Sequence, residues 1–214
     1  MSLFSGTPTN GYIVTNLVKE KNLNSKDASI ILSYSFFLNP LFLYNMINSI
    51  LNDSNITIKI ILITYLTNFI IAIFYRKYNY QNINIQNNIN KKNLSNVLTD
   101  SINHAFSTLT NILGTMIFYF IICEGINFFI ENTNINCFIN GFLEVTGGLS
   151  KLKDLNISFS LKKIVTIIFI SFGGLSIHSQ IKSIINDANI SYKPFLKARF
   201  IHAILATLTC IFFT

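Results

Sequence analysis

Ser171-Phe172-Gly173-Gly174-Leu175-Ser176-Ile177-His178 interrupts an apolar run that extends from Ile164 to Ile185. The run is long enough to cross a bilayer, which takes about 20 mainly apolar residues. Its paired glycines lower helix propensity and allow close backbone approach. A helix broken there leaves carbonyls of the first half and N–H groups of the second without intrahelical partners. Such backbone persists at membrane depth only where protein or a watery cavity covers it. The stretch therefore reads as a broken transmembrane helix lining a site.

The same signature lies upstream. The apolar run from Ala28 to Leu51 is interrupted at Phe37-Leu38-Asn39-Pro40-Leu41-Phe42, where Pro40 lacks an N–H and clashes with a preceding turn. Three further runs, Ile56 to Tyr75, Ala105 to Ile130 and Phe195 to Phe213, are long enough to span. Two segments, Ser5 to Val18 and Cys137 to Leu152, are too short or too interrupted. They are expected to be arms of re-entrant hairpins. The fold class is thus an all-α integral membrane protein with about five transmembrane helices, two of them broken, plus re-entrant hairpin arms, in a partial inverted-repeat transporter arrangement.

Composition agrees. Of 214 residues 50% are hydrophobic and only 12% charged, about half the charge of a soluble domain, and the mean hydropathy is +0.47. The net charge of +7 does not suggest nucleic acid, because the lysines and arginines form short clusters between apolar runs and no stripe with interleaved aromatics. With Lys19–Lys26 placed in the cytoplasm, eleven basic residues, Arg199 among them, fall on that side and five on the other, as the positive-inside rule requires. Cys123, Cys137 and Cys210 show no CxxC or Cys/His metal spacing and read as small buried hydrophobes. No cofactor, metal or hydrolase motif is present, so an enzyme is not expected. The N-terminus has no charged n-region or apolar h-region, and no signal peptide is expected.

One motif order occurs twice. A tip, Ser5-Gly6-Thr7-Pro8-Thr9-Asn10, precedes an amphipathic arm, a charged turn and the break at Asn39-Pro40. A second tip, Glu144-Val145-Thr146-Gly147-Gly148, precedes a charged stretch and the break at Gly173-Gly174. Residues 1–214 are read as one membrane domain, with 1–75 the remainder of a first repeat and 105–214 a second. Opposed hairpins of this kind characterise inverted-repeat transporters, whose half-helix N-termini face anionic substrate groups. The candidate substrate-binding residues are Ser5, Gly6, Thr7, Pro8, Thr9, Asn10, Asn39, Pro40, Glu144, Thr146, Gly147, Gly148, Gly173, Gly174, Ser176, His178 and Gln180. No Lys or Arg lies in the tips, so N–H groups and hydroxyls are expected to hold the substrate. Ionisable residues inside a membrane are functional candidates by default. Glu144, expected just before the second tip, leads. His178 is as readily a structural hydrogen-bonding group, Glu124 reads as interfacial, and His104 and His202 as ordinary residues near span ends.

These four motifs, with Gly141-Phe142-Leu143 before Glu144 and Ser179-Gln180 after His178, resemble the sporulation integral membrane protein YlbJ family. That family belongs to the group with nucleoside-recognition (Gate) domains, related in architecture to concentrative nucleoside transporters. The resemblance implies a sporulation membrane transporter that moves dipicolinate, a small aromatic dianion, across the outer forespore membrane. A non-transporting sporulation assembly protein and a nucleoside-type carrier are the alternatives. Family members are about twice as long, so the chain is expected to be an N-terminally truncated piece. The lipid membrane, a small organic anion and either a second copy or the missing N-terminal half are its expected partners.

Overall fold

The computed structural model describes residues 6–75 and 94–213. Ser5, part of the first predicted tip, and the basic residues Arg76, Lys77, Lys91 and Lys92 lie outside the described residues. Every regular element among the described residues is an α-helix: α1 Thr9–Lys19, α2 Ser25–Tyr34, α3 Pro40–Leu51, α4 Ser54–Tyr75, α5 Leu94–Phe129, α6 Thr133–Leu143, α7 Val145–Asp154, α8 Phe159–Phe172, α9 Gly174–Asn186 and α10 Lys193–Phe213.

Four helical stretches are long and apolar enough to cross a membrane: α4, α5, the joined α8–α9 stretch and α10. The predicted broken span from Ala28 to Leu51 is two short helices, α2 and α3, separated by non-helical residues 35–39. The physical cause lies in Asn39-Pro40. Proline disfavours helical backbone in the residue before it, yet fits the first position of a helix. Pro40 therefore begins α3, and Asn39 caps it by accepting from the N–H groups of Leu41 and Phe42 at 2.9 and 3.1 Å. The third predicted span starts earlier than expected: α5 runs 36 residues and, within it, only Cys123 is buried.

The second break forms where the glycines predict it. Gly173 and Gly174 both have positive φ, +90° and +67°, a region that L-residues with a Cβ enter at a cost. Gly173 ends α8 by donating to the Phe169 carbonyl at 2.9 Å. His178 reaches back across the break, and its Nε2 donates to the Phe172 carbonyl at 3.0 Å.

α6 and α7 form the second hairpin. Eleven and ten residues at 1.5 Å each give arms of about 15 Å, half a hydrocarbon core. The arms touch backbone to backbone: a Cβ on Gly148 would stand 2.1 Å from the Gly141 Cα. The sequence reading put Gly147 and Gly148 at the tip; they lie inside α7, and Glu144 alone forms the turn, extended at φ −142° and ψ 116°. In the first tip, Thr9 and Asn10 likewise belong to the first turn of α1, which leaves Gly6, Thr7 and Pro8 as the described non-helical residues.

The interior is polar by the standard of a soluble core. On α4 the buried positions Thr57, Ile60, Ile63, Thr64, Thr67, Asn68 and Ile71 share one helix face, while Leu62, Leu66, Phe69 and Ile73 are exposed. Lipid is as apolar as leucine, so a membrane helix turns its small and hydrogen-bonding residues toward its neighbours. α10 answers this face. Arg199 Nη2 donates to Asn68 Oδ1 at 3.0 Å, and His202 Nε2 to the Thr64 carbonyl at 2.9 Å. Arg199, counted from sequence only as a cytoplasmic-side charge, is fully buried, and His202, expected near a span end, sits mid-helix, also buried. His104 is exposed on α5, as is Glu124 near the C-terminal end of that helix. All three cysteines are buried, and none forms a disulfide.

Candidate functional site

The first break exposes a run of carbonyls, and side chains from three other elements satisfy them. Asn10 Nδ2 on α1 donates to the Ser35 carbonyl at 3.2 Å and to Ser35 Oγ at 2.5 Å. Asn68 Nδ2 on α4 donates to the Phe36 carbonyl at 2.5 Å. The backbone N–H and hydroxyl of Thr7 both donate to the Phe37 carbonyl, at 2.9 and 3.0 Å. Tyr65 Oη donates to the Leu38 carbonyl at 2.7 Å. An unmade buried hydrogen bond costs about 1–3 kcal/mol, so this non-helical segment depends on its clamps.

Each tip packs on the break that follows it in the chain. A Cβ on Gly6 would stand 3.1 Å from the Asn39 backbone nitrogen, and one on Gly174 would meet the Val145 nitrogen at 3.1 Å and the Leu143 carbonyl at 3.3 Å. The breaks also meet each other, since a Cβ on Gly173 would lie 2.8 Å from the Phe36 ring.

Between the two tip–break pairs lies a cavity of about 200 Å³. The first pair contributes Gly6, Thr7, Leu38, Asn39 and Phe42. The second contributes Glu144, Val145, Thr146, Ser176, Ile177 and Gln180. Ile112 and Met116 of α5 close it. Seven of the sequence-predicted residues therefore line one space: Gly6, Thr7, Asn39, Glu144, Thr146, Ser176 and Gln180. Ile112 and Met116 had no signal in the sequence, since both sit inside the predicted span from Ala105 to Ile130, away from any motif.

The other described candidates do not line the cavity. Pro8 precedes α1, Thr9 opens it, and Asn10 clamps the first break. Pro40 starts α3. Gly147 packs under Phe120 and Gly148 against Gly141, while Gly173 and Gly174 make the second break itself. His178 has both ring nitrogens occupied: Nε2 by the Phe172 carbonyl and Nδ1 by Tyr192 Oη at 2.5 Å. Its surroundings, the rings of Phe172, Tyr192 and Phe195, are those of a structural histidine.

Glu144 is 2% exposed. Its Oε2 caps α7, accepting from the Gly147 N–H at 2.7 Å and from the Thr146 hydroxyl. No Lys, Arg or His lines the cavity. The helix starts are unequal as anion sites. Asn39 caps the first N–H groups of α3, and Glu144 serves α7. α9 follows Gly173 with no side-chain cap, and Ser176 in its first turn lines the cavity. The sequence reading gave this role to both half-helices; of the two, α3 has a side-chain cap and α9 has none. Among the described residues no group of three His, Cys, Asp or Glu is placed to hold a metal.

No family model matches the chain, and no solved structure does. Over 246 aligned residues the chain is 20% identical to the sporulation integral membrane protein YlbJ of Bacillus subtilis (strain 168), covering 96% of this chain. The chain spans 60% of that relative's length. The likeness is that of a distant sporulation membrane protein, and it agrees with the apolar helices described above.

Proposed function

We propose that the protein is a sporulation membrane carrier that binds a small organic anion in the cavity between the two tip–break pairs. The observation that carries this reading is the convergence of both tips and both breaks, 138 residues apart from Gly6 to Glu144, on one 200 Å³ space. That volume is below the ~300–1,000 Å³ of drug-sized pockets and suits a single-ring molecule. The uncapped start of α9, with Ser176 and Gln180, supplies N–H and hydroxyl donors for a carboxylate. Dipicolinate is the substrate that the YlbJ-like motifs imply, and the outer forespore membrane is the location that goes with it.

A second reading has its own support. Glu144 places a carboxylate in a cavity that no cation lines, which suits a neutral, hydroxyl-rich solute such as a nucleoside as well as a protonated carboxylic acid. Proteoliposomes containing the purified chain separate the two. Uptake of labelled dipicolinate and not uridine supports the first reading, and the reverse supports the second. Absence of both, with the protein inserted, supports a non-transporting assembly role.

A further inference from the structure

A second cavity, of about 310 Å³, shares no lining residue with the first. It sits where the last residue of α4, Tyr75, meets the first residue of α10, Lys193. Two antiparallel spanning helices end there together, so the cleft opens at the membrane–water boundary. Lys26 of α2 and Lys193 and Lys197 of α10 line it, with Ser29 and Ile30. All three lysines are exposed.

None of the three has a carboxylate partner: the one ion pair among the described residues joins Lys19 and Asp187. Asp27 beside them is buried, is held by the Asn24 amide at 2.7 Å, and does not line the cleft. Lys193 and Lys197 are four residues apart on one helix face, an arrangement that is repulsive unless an anion sits between them. More positive charge lies one turn deeper. Arg199 Nη2 donates to the Ser33 carbonyl, and Ser33 lies one turn along α2 from Ser29. The Arg199 Nε and Nη1 have no hydrogen-bond partner.

Below Lys197 the same face of α10 carries Phe200, Ile201, Ile204 and Leu208, each 46–60% exposed. A cationic cleft at the boundary thus runs directly into an apolar, lipid-facing stripe.

We propose that this cleft binds the phosphodiester headgroup of an anionic glycerophospholipid, whose acyl chains lie along the stripe of α10. A free phosphate shares the headgroup chemistry but has no use for the stripe. Basic pockets between helix ends recognise anionic lipid in this way.

Native mass spectrometry of the purified full chain, exchanged into micelles holding equal phosphatidylglycerol and phosphatidylcholine, tests it. The expected result is retention of phosphatidylglycerol on the wild type. The triple variant Lys26→Gln, Lys193→Gln, Lys197→Gln should lose more than about tenfold of that retention. The matching triple Lys→Arg variant should keep it, as should Lys162→Gln, Lys163→Gln elsewhere in the chain. Equal retention by the Gln triple overturns the proposal. So does protection by millimolar inorganic phosphate, measured as a lysine-dependent rise in melting temperature equal to that given by phosphatidylglycerol, because the ligand would then be a free anion.

Discussion

Phe36, in the non-helical segment of the first break, points the tip of its ring at Gly173 at the centre of the second; a Cβ added at 173 would come within 2.8 Å of its Cζ. The Arg199 guanidinium lies over the Phe36 ring, 4.3 Å from its centroid. The two interruptions of the two broken stretches are therefore one packing unit, with a buried cation stacked on it.

Gly173→Ala should be among the most damaging single-methyl additions in the chain. It combines a left-handed backbone, costing about 1–2 kcal/mol, with a clash against a ring fixed by Arg199. Gly125→Ala is the control, since nothing lies within 4 Å of a Cβ there. In detergent melts the first should lower the midpoint by several degrees and the second leave it unchanged or raise it. Equal behaviour of the two would mean that the breaks do not pack as described.

Asn68 and Arg199 form the second test. Asn68→Ala strips the Phe36 carbonyl of its donor and Arg199 of its acceptor, so a loss of about 2–4 kcal/mol is expected. Arg199→Met removes the buried charge together with its needs and should cost less. Lysine has no planar fork to reach the Ser33 carbonyl and Asn68 while stacking on Phe36, so Arg199→Lys should not preserve wild-type stability. In the Arg199→Met background, Asn68→Ala should cost measurably less than in the wild type, the mark of a shared network.

What the sequence disclosed, and what it hid, follows from the range of the forces involved. Asn39-Pro40 and Gly173-Gly174 announce breaks because backbone sterics are local, and both breaks are present. The placement of Glu144 was nearly right, but two glycines look like a turn, and in α7 they serve a close helix contact instead. Arg199 was counted only as a cytoplasmic-side charge because it lies four residues from Phe195, the start of an apolar run. Its partners Ser33 and Asn68 are 166 and 131 residues away, and no local pattern points to them. The same holds for the closure of the cavity by Ile112 and Met116.

The hairpin contact gives a third prediction. Cys137 is fully buried, and its Sγ contacts the Gly148 carbonyl at 3.5 Å. Gly148→Ala, which would press its Cβ to 2.1 Å from Gly141 Cα, must separate the arms. Mass-resolved maleimide labelling at Cys137 should be slow in the wild type and faster by about tenfold or more in the variant, because exposing the thiol requires local opening. Unchanged labelling would place the two arms apart already.

Glu144 has two duties that substitutions can split. Glu144→Gln retains an oxygen to accept from the Gly147 N–H, so the turn and the protein's abundance should survive. Glu144→Ala loses the cap, at about 1 kcal/mol, and should lower both. If the carboxylate serves the solute or a coupled proton, Glu144→Gln should abolish uptake at wild-type abundance. Full uptake by Glu144→Gln would reduce Glu144 to a cap.

The most direct test of the shared cavity is made in the source organism. The gene is deleted and replaced by the wild type or by Ser176→Val with Gln180→Leu, two changes confined to the cavity wall at the start of α9. Spore dipicolinate is then compared with total dipicolinate in the mother cells at matched protein abundance. The account predicts spores depleted of dipicolinate in the deletion and in the double variant alike, with synthesis in the mother cells intact. Normal spore dipicolinate in the double variant would contradict it.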